Sequence, residues 1–174
     1  MTSKQKLFLC LLSFGFIAGC GTKLPDGMPT LYPVTLTVTQ DGNVLDGAII
    51  ELSGGSGVWS ASGVTDAQGQ TKLHTQGRYA GVPEGTFKVT VMKTISEGDP
   101  PPSRPVDAES QKRYDEYLRS GKTFKEFHTT PIDCRNAATT PLTVTIAKGT
   151  KNVTVNVEGT VKEQIGTRGG VMNQ

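Results

Sequence analysis

The sequence predicts an all-β fold, an antiparallel seven-stranded β-sandwich. The first observation is an alternation of apolar and polar residues with a period of two, as in "PVTLTVT", where Val34, Leu36 and Val38 alternate with threonines. Such alternation sends one face of a strand to a core and the other to water. The second observation is that turn residues rich in Gly, Asp and Asn separate these runs. The part left after the two ends are set aside, residues 33–158, has the length of one ordinary domain.

The same period recurs along the chain. Further strand-like runs are "AIIELS" at 48–53, "GVWSASGVT" at 57–65, "QTKLHT" at 70–75 and "GTFKVTVMK" at 85–93. The run "PLTVTIAKGTKNVTVNV" at 141–157 alternates twice around a turn at 148–151, which predicts a final hairpin.

The four residues Asp66 to Gly69 are suited to a tight turn between two of these runs. An Asp at the first position can accept a hydrogen bond from the backbone two residues on, and a Gly at the last position can take a positive φ. We therefore predict a hairpin here. A calcium site is the alternative, but one carboxylate is a poor ligand set for an ion that takes six to eight oxygens.

An insert at 95–136 interrupts the strand pattern. It opens with "SEGDPPPSRPVD", whose prolines favour extended polyproline geometry. A short helix then follows, with Asp107 as its N-cap and Gly121 as its stop. We predict a crossover helix whose Tyr114 and Tyr117 rings lie against the sandwich, the alternative being an arm that binds a partner.

The N-terminus has the order of a secretory signal: Lys4 and Lys6, an apolar run at 7–17, then small residues. Its end, Ile17, Ala18, Gly19 and Cys20, resembles the lipobox of bacterial lipoproteins, in which the Cys becomes the lipidated N-terminus. We predict a signal peptide at 1–19, a lipidated tether at 20–32 and a flexible tail at 159–174. By the same resemblance, Gly21 after the Cys indicates the outer membrane of the cell envelope.

Several turn and strand motifs occur in an order that resembles the carboxypeptidase regulatory-like modules of bacterial surface lipoproteins. The matching motifs are Asp41-Gly42, Leu45-Asp46-Gly47-Ala48, Thr65-Asp66-Ala67-Gln68-Gly69 and the run from Pro83 to Val91. The resemblance covers residues 33–93, and the final run at 139–157 is similar to the closing hairpin of those proteins. It implies a transthyretin-like, or prealbumin-like, sandwich in the envelope, with no catalytic residues.

Charge and cysteine content exclude some classes of function. The chain has 18 basic and 16 acidic residues, and loss of Lys4 and Lys6 with the signal leaves 16 of each. A near-neutral chain without a basic stripe gives no sign of nucleic-acid binding. With Cys10 in the signal and Cys20 lipidated, Cys134 stands alone, so no internal disulfide is possible. We expect its thiol to be buried and inert, the alternative being an intermolecular bridge.

Enzymes of the prealbumin-like fold were weighed as alternatives. Hydroxyisourate hydrolases end in Tyr-Arg-Gly-Ser, whereas the "TRGG" at 167–170 lacks the aromatic and the hydroxyl. Intradiol dioxygenases bind iron through two Tyr and two His, and the candidates here, Tyr114 and Tyr117 with His74 and His128, include no His-x-His pair. The spacing of His74, His128 and Cys134 is equally unlike a zinc site. We predict no enzyme, no metal and no cofactor.

Two functions remain open. The first is a non-catalytic structural or protein-interaction module, held on the membrane by its N-terminal lipid. The second is a glycan- or peptide-binding module, whose contact surface would be Trp59, Arg78 and Tyr79, the last two in the loop at 75–83. Exposed aromatic rings stack on sugars, and loops commonly carry recognition.

Overall fold

A computed structural model describes residues 24–54 and 58–165. The described residues are mostly β, with 43% of them in strands and one short helix among them, which confirms the all-β prediction. The strands form four sheets, and all but one of the strand pairs are antiparallel. Within the described residues, no helix has the length and apolarity needed to cross a membrane.

The strands are short and follow one another closely along the chain. Their bounds are β1 Leu31–Tyr32, β2 Thr35–Gln40, β3 Asn43–Val44, β4 Ile49–Gly54, β5 Ala61–Val64, β6 Gln70–Lys72, β7 His74–Thr75, β8 Tyr79–Ala80, β9 Val82–Pro83, β10 Gly85–Met92, β11 Thr94–Gly98, β12 Phe124–His128, β13 Thr143–Ile146, β14 Asn152–Val157 and β15 Glu163–Gln164. One α-helix, α1, spans Ala108–Arg119, and a 3₁₀ turn spans Asp133–Arg135.

Two larger sheets share a single core. One has six strands in the order β13-β10-β4-β5-β7-β8, and the other has β14-β2-β3 with β6 also paired to β2. Their inward residues form one apolar cluster, in which β2, β4, β10 and β14 alternate buried and more exposed positions as the period of two predicts. The largest fully buried apolar side chains are Leu36, Ile50, Leu52, Leu73, Ile146, Val38, Val82, Val89, Val91 and Val157.

The predicted final hairpin is wrong. β13 pairs with β10 in the six-stranded sheet, whereas β14 runs parallel to β2 in the other sheet, in register from Asn152 opposite Thr35 to Val157 opposite Gln40. The turn before β14, closed by a hydrogen bond from Thr150 N to Ala147 O (3.0 Å), carries the chain from one sheet to the other. Alternation shows which face of a strand is buried but not which strand lies beside it.

The tight turn at Asp66 is confirmed, but the hairpin around it is not. Asp66 Oδ1 accepts hydrogen bonds from the backbone N–H groups of Gln68 and Gln70 (both 2.9 Å), and Gly69 takes a φ of +70°. The strands on either side belong to different sheets, since β5 pairs with β4 and β7 while β6 pairs with β2. The turn therefore carries the chain from the six-stranded sheet to the sheet that contains β2.

The insert contains two strands that the sequence pattern did not predict. β11 and β12 pair over five positions, and β15 joins them in a three-stranded sheet. Helix α1 lies between β11 and β12 along the chain and begins with the predicted cap. Asp107 Oδ1 accepts a hydrogen bond from Ser110 N (2.7 Å), and Ser110 Oγ accepts one from Asp107 N (3.0 Å). The hydrogen bonds that Ser110 N and Ser110 Oγ donate to the Asp107 carboxylate lower the pKa of Asp107.

The predicted packing of the two tyrosine rings on the sandwich is wrong. No residue of α1 is buried. Tyr117 instead donates a hydrogen bond from its hydroxyl to Asp99 O (2.7 Å), and both rings border shallow hollows lined by prolines of the segment 100–105. The apolar neighbours of the two tyrosine rings at these hollows are therefore prolines of this segment.

Both ends of the fold extend beyond the predicted domain. β1, placed in the tether by the sequence, pairs with β9. At the other end, Gly159 N and Thr160 Oγ1 donate hydrogen bonds to the Asp41 carboxylate (2.7 and 2.8 Å), which lowers the pKa of Asp41. Residues 159–165 are therefore part of the fold and not a flexible tail; the remainder of the predicted tail, 166–174, lies outside the described residues.

Candidate functional site

Trp59 borders a groove of about 400 Å³, which we call the aromatic groove. Its lining residues are Gly27, Pro29, Thr30, Tyr32, Gly54, Trp59, Pro83, Glu84 and Phe87. Trp59 and Tyr32 are half-buried, and Glu84 is exposed. Three aromatic rings and one carboxylate thus border the same hollow, with backbone and small residues between them.

Strand pairing and glycines shape this groove. The pairing of Tyr32 with Val82 places the β1 tyrosine beside the start of β10. Phe87 lies opposite Gly54, so no side chain at that position of β4 covers its ring. Gly85 has a φ of +148°, and a Cβ there would lie 3.5 Å from Cε2 of Phe87. The absence of side chains at these two glycines leaves the groove open over the Phe87 ring.

The groove carries one negative charge beside a hydroxyl donor. Burial raises the pKa of Tyr32, and the neighbouring carboxylate of Glu84 raises it further. The phenol therefore stays protonated over the physiological range and remains a donor, while Glu84 is an acceptor. The groove thus offers ring faces for stacking, one hydrogen-bond donor and one acceptor. Such a groove suits a ligand that has apolar faces and hydroxyl groups.

The other predicted contact residues lie elsewhere. Tyr79 is half-buried on β8, at the edge of the six-stranded sheet, and the Arg78 guanidinium lies 5.5 Å from the centre of its ring. Neither residue lines the aromatic groove. Trp59 borders the β1–β9 pair instead, so the structure does not bring Trp59 and Tyr79 into one shared hollow.

Sequence reasoning missed Tyr32 and Glu84. Tyr32 was predicted to belong to the tether, and Glu84 was noticed only as part of the Pro-Glu-Gly turn motif. The one available signal was an aromatic residue directly before Pro33 and the first alternating strand. The groove draws on residues of 27–32, on Gly54 and Trp59, and on residues of 83–87, which only the tertiary pairing brings together.

The residues weighed as metal ligands are dispersed over separate elements. His74 is in β7, His128 is in β12 and Cys134 is in the 3₁₀ turn. Residues 24–54 and 58–165 contain no group of three or more His, Cys, Asp or Glu side chains that could hold a metal ion. Cys134 is buried, and its desolvation, together with the nearby charge of Asp133, raises the pKa of its thiol. A raised pKa leaves less of the thiolate, the reactive form, at a given pH, and the burial of this thiol agrees with the prediction.

The lipobox residues Ile17, Ala18, Gly19 and Cys20 lie outside the described residues. No protein-family model matches the chain, and searches of curated proteins and of solved structures found no significant match. The resemblance to carboxypeptidase regulatory-like lipoproteins thus remains a prediction from the sequence motifs.

Proposed function

We propose that this protein is a non-catalytic, lipid-anchored module of the bacterial cell envelope. The observation that carries the proposal is the Ile17-Ala18-Gly19-Cys20 box at the end of a charged and then apolar N-terminal segment. Ten residues lie between Cys20 and Leu31, and a fully extended chain of the eleven steps that join them reaches about 40 Å. The lipid would hold the domain close to the membrane, on the outer membrane by the prediction from Gly21.

We further propose that the fold is the seven-stranded transthyretin-like sandwich of the carboxypeptidase regulatory-like modules. The ordered motifs from Asp41 to Val91 support this assignment. Strands of only two residues, such as β1 and β15, would then be extensions of that framework. β11, α1 and β12 would be an addition to it.

The proposed role is structural or protein-interacting, and the insert supports it. α1 has no buried residue, and Leu118 on it is 62% exposed. Val106, just before the helix, is 90% exposed. Apolar side chains that no described part of the chain covers are suited to contact with another envelope protein.

Replacing Cys20 by alanine tests the anchor. The variant is expected in the soluble fraction or as a larger precursor that retains its signal, because the lipid alone would hold the domain on the membrane. Immunoblots of membrane and soluble fractions measure this. Cys10→Ala is the matched control, since Cys10 lies within the predicted signal and its loss leaves the box intact. Mature-size Cys20→Ala protein in the membrane fraction would refute the proposal.

A second candidate function is glycan binding in the aromatic groove. Trp59 and Tyr32 offer ring faces there, and Glu84 offers an acceptor for sugar hydroxyls. The contact residues of this second candidate are therefore proposed to be Trp59, Tyr32 and Glu84, without Arg78 and Tyr79.

Replacing Trp59 by alanine tests this second candidate. Affinity for cell-wall glycan fragments, measured by calorimetry on the full chain, is expected to fall about tenfold because a stacking surface is lost. Tyr79→Ala is the matched control and should bind as the unaltered protein does. An equal loss in both variants, or no binding by the unaltered protein, would exclude a glycan site in this groove. The thermal unfolding midpoints of the same variants distinguish a loss of binding from a loss of folding.

A further inference from the structure

A second groove, of about 500 Å³, opens on the other side of Tyr32. We call it the basic-rimmed groove. Its lining residues are Tyr32, Pro33, Val34, Thr35, Lys72, Leu73, His74, Ala80, Gly81, Gly149, Thr150, Lys151 and Asn152. They come from the start of β2, the β6–β7 bend, the β8–β9 turn and the loop before β14. The groove thus lies at an end of the two larger sheets.

The walls of this groove are mainly apolar. Pro33 and Ala80 are exposed and Tyr32 is half-buried, whereas Val34 and Leu73 belong to the buried core and are only 3% and 1% exposed. Gly81 contributes no side chain at all. Several nearby backbone groups are already used: Thr35 N donates to Lys151 O (2.8 Å), and Gly81 N donates to Leu73 O (2.9 Å). A ligand in the groove therefore meets much apolar surface and few free hydrogen-bonding groups.

The rim is positively charged. Lys72 and Lys151 are exposed, His74 is half-buried, and no carboxylate is among the lining residues. Thr35 pairs with Lys72 on one neighbouring strand and with Asn152 on the other. Since neighbouring strands lie about 4.8 Å apart, the backbones that carry the two lysines are separated by about 10 Å. Lys72, opposite Thr35, and Lys151, one residue before Asn152, alternate to different faces of the sheet, and both line the groove, so they flank a head group there from two sides.

We propose that the basic-rimmed groove binds a long-chain carboxylate, with its hydrocarbon chain along the apolar walls and its head between Lys72 and Lys151. The volume is that of a small-ligand site, and apolar walls with a few polar groups are usual for such sites. A peptide in the same place would bury backbone N–H and C=O groups that the walls leave unpaired, which is costly. An alkyl chain has no such groups, and only a negatively charged head complements the two lysines.

The site is distinct from those of both proposed functions, although Tyr32 borders this groove and the aromatic groove. It involves neither the lipid on Cys20 nor the ring of Trp59, so its failure would leave those proposals untouched. Binding of a long-chain carboxylate would make the module a carrier or a sensor of free acyl chains beside the membrane.

Titration of the full chain with a fluorescent fatty acid, dansyl-undecanoate, tests the proposal. The protein is held in one nonionic detergent at a fixed concentration, so that competition from the detergent is equal in every titration. We expect saturable binding of the carboxylate that is about tenfold tighter than binding of the matching dansyl-undecanol. No saturable binding, or equal affinity for acid and alcohol, would overturn the proposal.

Two sets of variants locate the bound probe. The double variant with Lys72→Gln and Lys151→Gln should bind the carboxylate about tenfold more weakly than the unaltered protein does. Its affinity for the alcohol should stay within about twofold of the unaltered value. Lys112→Gln with Lys125→Gln is the matched control, because both lysines are exposed on the insert. Ala80→Phe, at an exposed position on the groove wall, should weaken both probes by filling the site. Unchanged binding in the Lys72 and Lys151 variant or in Ala80→Phe would place the probe elsewhere and overturn the assignment.

Discussion

Replacing Leu52 by alanine is expected to lower the free energy of unfolding by about 2–5 kcal/mol. Leu52 is fully buried at the middle of β4, opposite Val89 of β10 on one side and Ala61 of β5 on the other. The truncation removes buried apolar surface and leaves a cavity that the two flanking strands hold open. Urea unfolding followed by circular dichroism measures the loss as a lower midpoint at an unchanged slope.

Ile49→Ala is the matched control on the same strand. Ile49 is 49% exposed on the outer face, so its truncation should cost less than about 1 kcal/mol. Equal destabilisation by the two variants would contradict the inward and outward faces of β4.

Replacing Gly81 by alanine is expected to lower the free energy of unfolding by about 2–5 kcal/mol and to free β1 from β9. Gly81 has a φ of +104°, and a Cβ there would lie 2.8 Å from Tyr32 O and 3.2 Å from Leu31 Cβ. Since the nearest neighbour is backbone, β1 itself must move. Chemical unfolding measures the energy, and faster amide hydrogen exchange at Tyr32 would report the lost pairing.

Gly77→Ala separates the steric contact from the backbone strain. Gly77 also has a positive φ, +66°, but a Cβ there would have nothing within 4 Å. Its replacement should cost only about 1 kcal/mol. If the Gly81 variant were no less stable than the Gly77 variant, β1 would not be packed against the β8–β9 turn as described.

Local pattern predicted the faces and caps of this fold but not its strand partners. Alternation placed Leu36, Val38 and Val89 in the core, and all three are buried. Helix α1 begins directly after its predicted N-cap, Asp107. This could be predicted because capping depends on residues only three positions apart. The parallel pairing of β14 with β2 joins residues more than 100 positions apart, and no short-range signal specifies it.

The same limit applies to the candidate sites. Trp59 could be singled out because it is the one tryptophan in the chain. Tyr32 and Glu84, its neighbours in the aromatic groove, are far from it in sequence and have ordinary local contexts. The basic-rimmed groove is equally hidden in the sequence, since Lys72 and Lys151 border one groove only because β6 and β14 both pair with β2.

The parallel pairing of β2 with β14 also decides how the protein responds to mechanical force. A pull on the chain before β2 and after β14 acts at opposite ends of this pair, because the two strands run in the same direction. Such a load slides one strand along the other, so the hydrogen bonds over all six paired positions must break together and not one after another. A domain tethered at its N-terminus and gripped beyond Val157 would resist extension in this shear geometry. An antiparallel hairpin pulled from its open end would instead unzip.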